Sequence, residues 1–299
     1  MNSTPWLAEN WQVSDDKLTW TFKINDKAKF SNGNKVTAEA VKKSIERTFE
    51  KAARARAMFE YDNISADGQT LMIKTHTPVA TLPGMLGDPL FIIIDTSVTD
   101  RDYAKQGPIC TGPYMVNTYS KAKAVMDANP NYWDGEVPFK HVEIPTIDDP
   151  NTRAMALQSG EIDMALLDPK NAQSFKDAED YTCYDMTTSD YRGIMFNFGN
   201  DYWTENKDII PAVCYGIDRQ AIIDAVLLGQ GMPAYGPLQR NIYNDENVEH
   251  YDYNPKKAKE ILENAGCTMD DDGFYERNGE EIGFVISVMS GEQDRIDIA

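Results

Sequence analysis

Apolar and polar positions alternate between Trp11 and Phe30. Val13, Leu18, Trp20, Phe22 and Ile24 fall on one side, and Thr19, Thr21, Lys23 and Asn25 on the other. With Asp15-Asp16 as the turn, the pattern predicts a β-hairpin with one buried face. Asn32-Gly33-Asn34 marks a second turn. Thr37 then caps a helix whose apolar stripe is Val41, Ile45 and Phe49, and the basic run from Lys51 to Arg56 reads as a solvated helix face. Alternation returns from Ile64 to Thr75 as another hairpin, turning at Asp67-Gly68. A Gly/Pro-punctuated segment follows from Pro78 to Pro89, and the apolar run Leu90–Ile94 reads as a strand. The first hundred residues therefore predict an α+β unit of meandering strands with one good helix.

From Gly107 the texture changes. Strands are predicted at Tyr114–Tyr119, Val125–Ala128 and Val142–Ile147, with a loop rich in Asn, Pro, Asp and aromatics at Asn129–Pro138. Asp148 to Leu167 reads as a helix and a strand. Asp149 is the cap, Pro150 takes the first helical position, and Gly160 ends the helix in a left-handed conformation. Ile162, Met164 and Leu166 then alternate with Asp163 and Ala165. Tyr191–Phe198 reads as a strand leading to a helix from about Ile209 to Leu228, which Asp218-Arg219 interrupts, with Asp218 available to cap a new helix. A helix from Asn254-Pro255 through Ala265 is closed by Gly266. Asp270–Gly273 is a turn, Phe284–Val288 a strand, and a further helix is under way at Ala299.

The chain has 299 residues, enough for two domains, and carries 29 basic and 48 acidic residues for a net charge of −19. That balance argues against nucleic acid or anionic lipid as a partner. The longest apolar run, Leu90–Ile94, is strand-length, well short of a membrane span. The opening Met1-Asn2-Ser3-Thr4-Pro5-Trp6 lacks the basic start and apolar segment of a leader, and Pro5-Trp6-Leu7 reads as the middle of a domain, as if a leader had been removed. Cys110, Cys183, Cys214 and Cys267 are widely spaced and form no CxxC, so they read as buried thiols rather than a zinc or redox site. His76, His141 and His250 are scattered. Asp270–Gly273 lacks the ligand register of a calcium loop, and Gly229-Gln230-Gly231 lacks the context of a phosphate loop.

Several short motifs recur together. They include Leu7-Ala8-Glu9-Asn10-Trp11 before Trp20-Thr21-Phe22-Lys23-Ile24, Lys29-Phe30-Ser31-Asn32-Gly33, Thr37-Ala38-Glu39-Ala40-Val41 and Thr111-Gly112-Pro113-Tyr114. Asn129-Pro130-Asn131-Tyr132-Trp133, Asp149-Pro150-Asn151-Thr152-Arg153, Leu157 through Asp163, Ala212 through Ile222 and Tyr253 through Gly266 complete the set. In this order they resemble the extracytoplasmic solute-binding proteins of peptide and nickel ABC importers. The resemblance runs over nearly the whole chain. It implies an α/β, two-lobed periplasmic-binding-protein-like fold with an α+β subdomain inserted in the first lobe. On that pattern residues 1–90 are the insert, 91–188 the core of the first lobe and 189–299 an incomplete second lobe. It further implies a strand before residue 1 and a long stretch after Ala299, so the chain is expected to be a truncated fragment.

The same resemblance implies capture of an oligopeptide or similar small solute between two lobes and its delivery to a membrane permease. It implies no bond chemistry, no cofactor, and a monomer working outside the cytoplasm, in the periplasm or lipid-anchored at the outer face of the membrane. An extended peptide requires strand-like backbone partners and roomy pockets. Candidate contacts are Phe91 and Ile92 after the Gly/Pro segment, with Arg192, Asn197 and Tyr235. Arg192 is suited to a bidentate grip on a carboxylate, against the plainer role of a surface or hinge ion pair. Phe91 and Ile92 serve equally as core strand, and Asn197 as a turn residue. Tyr235 lies in a loop, where aromatics more often meet ligands. Trp133 reads as core. One variant is nickel carried as a small-molecule chelate, since the histidines are too few for a bare site. The rival from another class is a sugar hydrolase with two carboxylates facing each other at roughly 5–10 Å.

Overall fold

The structure, a computed structural model, describes residues 3–241 and 243–299. Met1 and Asn2, from the stretch read for a leader, and Ile242 lie outside the described residues. The chain divides into two compact units, Met1–Ile147 and Asp148–Ala299.

In the first unit the predicted hairpin forms from β1 (Ala8–Val13) and β2 (Thr19–Ile24). Two helices follow, α1 (Ala38–Lys51) and α2 (Ala53–Met58), and then the second hairpin of β3 (Tyr61–Asp67) and β4 (Thr70–Thr75). β2 pairs with β4, giving an antiparallel sheet of order β1-β2-β4-β3. Gly68 turns the second hairpin at φ +57°, where a residue without Cβ is at ease. The period-two pattern delivers Trp20, Phe22 and Ile24 of β2, with Leu71 and Ile73 of β4, to one face. There they meet Val41, Ile45 and Phe49 of α1 in a single buried cluster. Each such side chain, taken out of water, contributes about 1.5–3 kcal/mol. Thr37 caps α1 as expected, accepting the Ala40 N–H at 3.2 Å.

Two short helices, α3 (Leu82–Leu86) and α4 (Tyr103–Gln106), lead to a meander of β5 (Tyr114–Tyr119), β6 (Lys123–Ala128) and β7 (His141–Pro145), all antiparallel. The strand expected at Leu90–Ile94 does not form. Pro89–Phe91 is instead a 3-10 turn, with Pro89 opening it and Asp88 accepting the Leu90 N–H at 2.8 Å. A proline after a capping aspartate starts a turn more readily than a ladder.

The second unit begins with α5 (Pro150–Gln158), capped by Asp149, which accepts the Thr152 N–H at 2.7 Å, and followed by Gly160 at φ +75°. After it come α6 (Pro169–Lys176), α7 (Asp201–Glu205), α8 (Ile210–Gly216), α9 (Arg219–Val226) and α10 (Pro255–Asn264). The long helix expected at 209–228 is thus two helices. Asp218 caps the second by accepting the Ala221 N–H at 3.0 Å, the alternative its sequence offered. Asp270–Gly273 is the turn of a small antiparallel sheet of β8 (Thr268–Met269), β9 (Tyr275–Arg277) and β10 (Glu280–Glu281), and α11 (Gln293–Ile298) closes the chain.

In this unit three expected strands are absent among the described residues: Ile162–Leu166, Tyr191–Phe198 and Phe284–Val288. Met164 and Leu166 are 87% and 74% exposed, and Met195 and Val285 are exposed as well. Alternation fits a segment to a pleat, but a ladder also needs a neighbouring strand, and none is hydrogen-bonded beside these segments. Packing here is local. Ala212, Tyr215 and Ala258 join α8 to α10, and Trp203 sits edge-on to Phe196 and Phe284.

All four cysteines are free. Cys267 is buried as expected, but Cys183 is exposed, on a segment that joins neither a helix nor a sheet.

Candidate functional site

The site in the first unit is built on the Asn32-Gly33-Asn34 turn. Gly33 takes φ +89° with its would-be Cβ facing the Asn131 side chain. Its two neighbours both aim inward: Asn32 Nδ2 and Asn34 Nδ2 each donate to Asp95 Oδ2 at 2.8 Å. The other carboxylate oxygen, Oδ1, accepts from the Ser97 N–H at 2.9 Å and the Ser97 hydroxyl at 2.6 Å. Asp95 is 4% exposed. Burial alone would raise its pKa, but the bonds from Ser97, Asn32 and Asn34 outweigh that and hold it at about 2.

Backbone bonds extend this clamp. The Ser31 N–H donates to Cys110 O at 2.8 Å, and the Asp95 N–H to Ile109 O at 2.9 Å. Asn131 Nδ2 reaches Ser31 O at 3.0 Å, and Asn129 Nδ2 reaches Gly112 O at 2.8 Å. Ser44 of α1 fixes the chain after the 3-10 turn: its hydroxyl donates to Ile92 O at 3.2 Å and accepts the Ile94 N–H at 2.9 Å. Three of the recurring motifs, at 29–33, 111–114 and 129–133, therefore meet in one rigid frame.

That frame supports a cavity of about 400 Å³ lined by Leu7, Ile92, Ile93, Pro108, Cys110, Thr111, Gly112, Tyr114 and Val116. No side chain in this wall carries a formal charge at neutral pH. Burial pushes the Cys110 thiol up to about 11, against a smaller opposing pull from Arg101. A smaller, more polar cavity of about 240 Å³ shares Pro108 and Val116 with it and is also bounded by Asn32, Arg101, Asn117 and Asp127. Among the described residues no group of three His, Cys, Asp or Glu side chains is placed to hold a metal ion.

The five candidate residues separate. Phe91 is buried against Phe49 and Phe59 in the core. Its neighbour Ile92, 51% exposed, lines the larger cavity. In the second unit, Arg192 faces Asp190 at 3.4 Å and Asp294 at 3.8 Å, the ion-pair role. Asn197 Oδ1 accepts the Gly199 N–H at 3.0 Å, closing its own turn. The Tyr235 hydroxyl donates to Asp252 Oδ1 at 2.6 Å while its ring stacks on His250 at 4.0 Å. Each of these three has its own partners. Leu7, Cys110, Tyr114 and Val116 were not foreseen as wall residues. The signal was the Thr111-Gly112-Pro113-Tyr114 motif, which reads from sequence only as a turn.

Residues 2–299 match the model for bacterial extracellular solute-binding proteins, family 5, middle part. The nickel-binding protein NikA of Staphylococcus aureus is 29% identical over 281 residues, covering 93% of this chain and 55% of its own. The glutathione-binding protein GsiB of Escherichia coli K12 is 28% identical over 270 residues, covering 87% and 52%. Among solved structures, NikZ of Campylobacter jejuni in complex with Ni(L-His) is 27% identical, with a TM-score of 0.84 over 99% of this chain and 61% of that one. The chain spans about half the length of the curated relatives it matches. These relatives are solute-binding proteins with mixed helix and strand content, which agrees with the expected α/β class and lends nothing to a sugar hydrolase. With its motifs in register and nearly its full length matched, the chain belongs to the bacterial extracellular solute-binding proteins of family 5.

Proposed function

We propose that this chain is part of the substrate-binding component of an ABC importer, which holds a small solute outside the cytoplasm and passes it to a membrane permease. The observation that carries this is the family match over residues 2–299. Binding between lobes shifts a conformational balance only by its differential affinity, and no covalent bond changes. The protein acts as a monomer, in the periplasm or anchored to the outer face of the membrane. No helix among the described residues is long and apolar enough to cross a membrane.

Within the family fold, residues 1–90 are assigned to the inserted subdomain, which the self-contained sheet β1-β2-β4-β3 supports. Residues 91–188 and 189–299 are assigned to the first and second lobes. Ile92, Arg192, Asn197 and Tyr235 are proposed as solute contacts, with Phe91 supporting Ile92 from the core.

Peptide-like solutes are the first reading. A metal chelate is the second, favoured by the likeness to NikZ, whose structure holds Ni(L-His). The histidines of this chain support a preassembled chelate over a bare ion: His76 and His141 are paired with carboxylates, and His250 is stacked on Tyr235. Native mass spectrometry of protein purified from its own host tests both. A reproducible extra mass of a peptide or nickel chelate is expected. Sugar turnover with no bound species would overturn the proposal.

A further inference from the structure

We propose that Asn278-Gly279 is a site of spontaneous covalent modification, where the asparagine converts to aspartate and isoaspartate through a succinimide ring. This chemistry needs no solute and no permease. Asparagine precedes glycine at two places in the chain, Asn32-Gly33 and Asn278-Gly279. At such a pair the glycine amide nitrogen attacks the asparagine Cγ with no Cβ in its way. A nitrogen–carbon bond forms, the Cγ–Nδ2 bond breaks, and ammonia leaves with the proton that the amide gives up. Water then adds to either ring carbonyl and reopens the ring. Opening on one side gives aspartate, and opening on the other routes the backbone through the side chain as isoaspartate. In balance a water enters and an ammonia leaves, and nothing is oxidised or reduced.

The two pairs differ in what holds their reacting atoms. Asn32 Nδ2, the group that would leave, donates to Asp95 Oδ2 at 2.8 Å. Asn32 Oδ1 accepts the Asn34 N–H at 3.1 Å. The Gly33 N–H, the group that would attack, donates to Phe30 O at 2.8 Å. Ring closure at Asn32 has to break all of these bonds, and with them the frame around Asp95. Asn278-Gly279 is instead the turn between β9 and β10, where Arg277 pairs with Glu280. Both turn residues are exposed and left-handed, at φ +58° and +83°, the conformation that an asparagine–glycine hairpin turn adopts. Among the described residues nothing engages the Asn278 side chain and nothing accepts the Gly279 N–H. A Cβ at 279 would meet nothing within 4 Å, so the space around that amide is open. β10 is Glu280–Glu281 alone, and a strand that short opens cheaply, which lets the backbone at 278 rotate its neighbour's nitrogen onto Cγ. Either product places a new carboxylate beside Glu280 and Glu281. Isoaspartate also lengthens the turn next to Arg277, whose guanidinium ties the hairpin to Asp208 at 3.0 and 2.9 Å.

The test incubates the full chain in mildly alkaline buffer, which favours loss of the amide proton. Both asparagines are followed by peptide mapping and mass spectrometry, and isoaspartate is counted by enzymatic methylation of its free carboxylate. A parallel sample unfolded in guanidinium chloride gives each pair its unrestrained rate. In the folded chain Asn278 is expected to convert at least about tenfold faster than Asn32, and in the unfolded chain the two rates are expected to converge. Asp95→Asn, which takes an acceptor oxygen from the clamp, is expected to quicken Asn32 and leave Asn278 as it was. Asn278→Gln is expected to remove the early isoaspartate signal, since the longer side chain closes a larger ring more slowly. A folded chain in which Asn278 stays intact while the unfolded chain converts it, or in which Asn32 keeps pace with Asn278, would overturn the proposal.

Discussion

Asp95 shows how a single side chain sets the geometry of the first unit. A buried carboxylate is costly unless its oxygens are filled, and here Asn32, Asn34 and Ser97 fill them. Its pKa, about 2 against an ordinary 3.8, makes this a pH-dependent contribution. Because the folded value lies below the unfolded one, the stabilisation is complete above about pH 4 and fades as pH falls towards 2. Asp95→Asn is expected to cost about 2 kcal/mol at pH 7, read as a lowered urea midpoint, with the gap to the parent closing at acid pH. A gap that persists at pH 2 would show that packing rather than charge is what matters.

Gly107 makes a second residue-scale case. It sits at φ +63°, ψ 177°, and a Cβ there would meet Val116 Cβ at 2.6 Å. Gly107→Ala combines backbone strain with overlap and is expected to cost about 2–4 kcal/mol. Adding Val116→Gly, which removes the Cβ and both methyls that a Cβ at 107 would meet at 2.6, 2.7 and 3.0 Å, should restore the overlap part only. Full restoration in a double-mutant cycle of unfolding midpoints would remove the backbone argument.

At the scale of elements, what the sequence reveals is what is local. Thr37, Asp149, Asp218 and Asn254 all cap the helices their spacing announced, because a cap and the amide it accepts are two or three residues apart. The hairpins at 8–24 and 61–75 are equally self-contained, with turn residues between alternating arms. The segments 162–166, 191–198 and 284–288 alternate as well as β4 does, yet they form no ladder. Alternation describes one chain, and a strand is a property of two. The site was legible in the same uneven way. Ile92 was singled out from its place after the Gly/Pro segment, whereas Leu7 and Tyr114 line the same cavity from distant parts of the chain, which no local pattern records. The caps offer a direct check: Thr37→Ala is expected to cost about 1 kcal/mol, measured by urea unfolding followed at the tryptophans. An unchanged midpoint would mean α1 is held by its packing face alone.

The two units differ in how their apolar surface is used. The first gathers Trp20, Phe22, Phe30, Ile45, Leu71 and Ile73 into one continuous core. The second has the small cluster at Ala212, Tyr215 and Ala258, a separate nest around Trp203, and long extended stretches with Met164, Tyr184, Met195 and Val285 in solvent. Local stability follows buried contacts and paired backbone, so opening should be cheapest where both are missing. Limited thermolysin digestion of the full chain, read by mass spectrometry, should therefore cut first within 162–166, 184–198 or 284–289. Thermolysin favours apolar side chains, and these segments present them on backbone that joins no sheet. The α1 helix and the sheet β1-β2-β4-β3 should survive as a protected fragment, since most of their large apolar side chains are buried in the core and the exposed ones, Val13 and Met72, sit on hydrogen-bonded strands. First cuts within 19–75 would contradict the packing difference. Protection of 184–198 in the presence of the host's solute, but not in its absence, would in addition tie that stretch to binding.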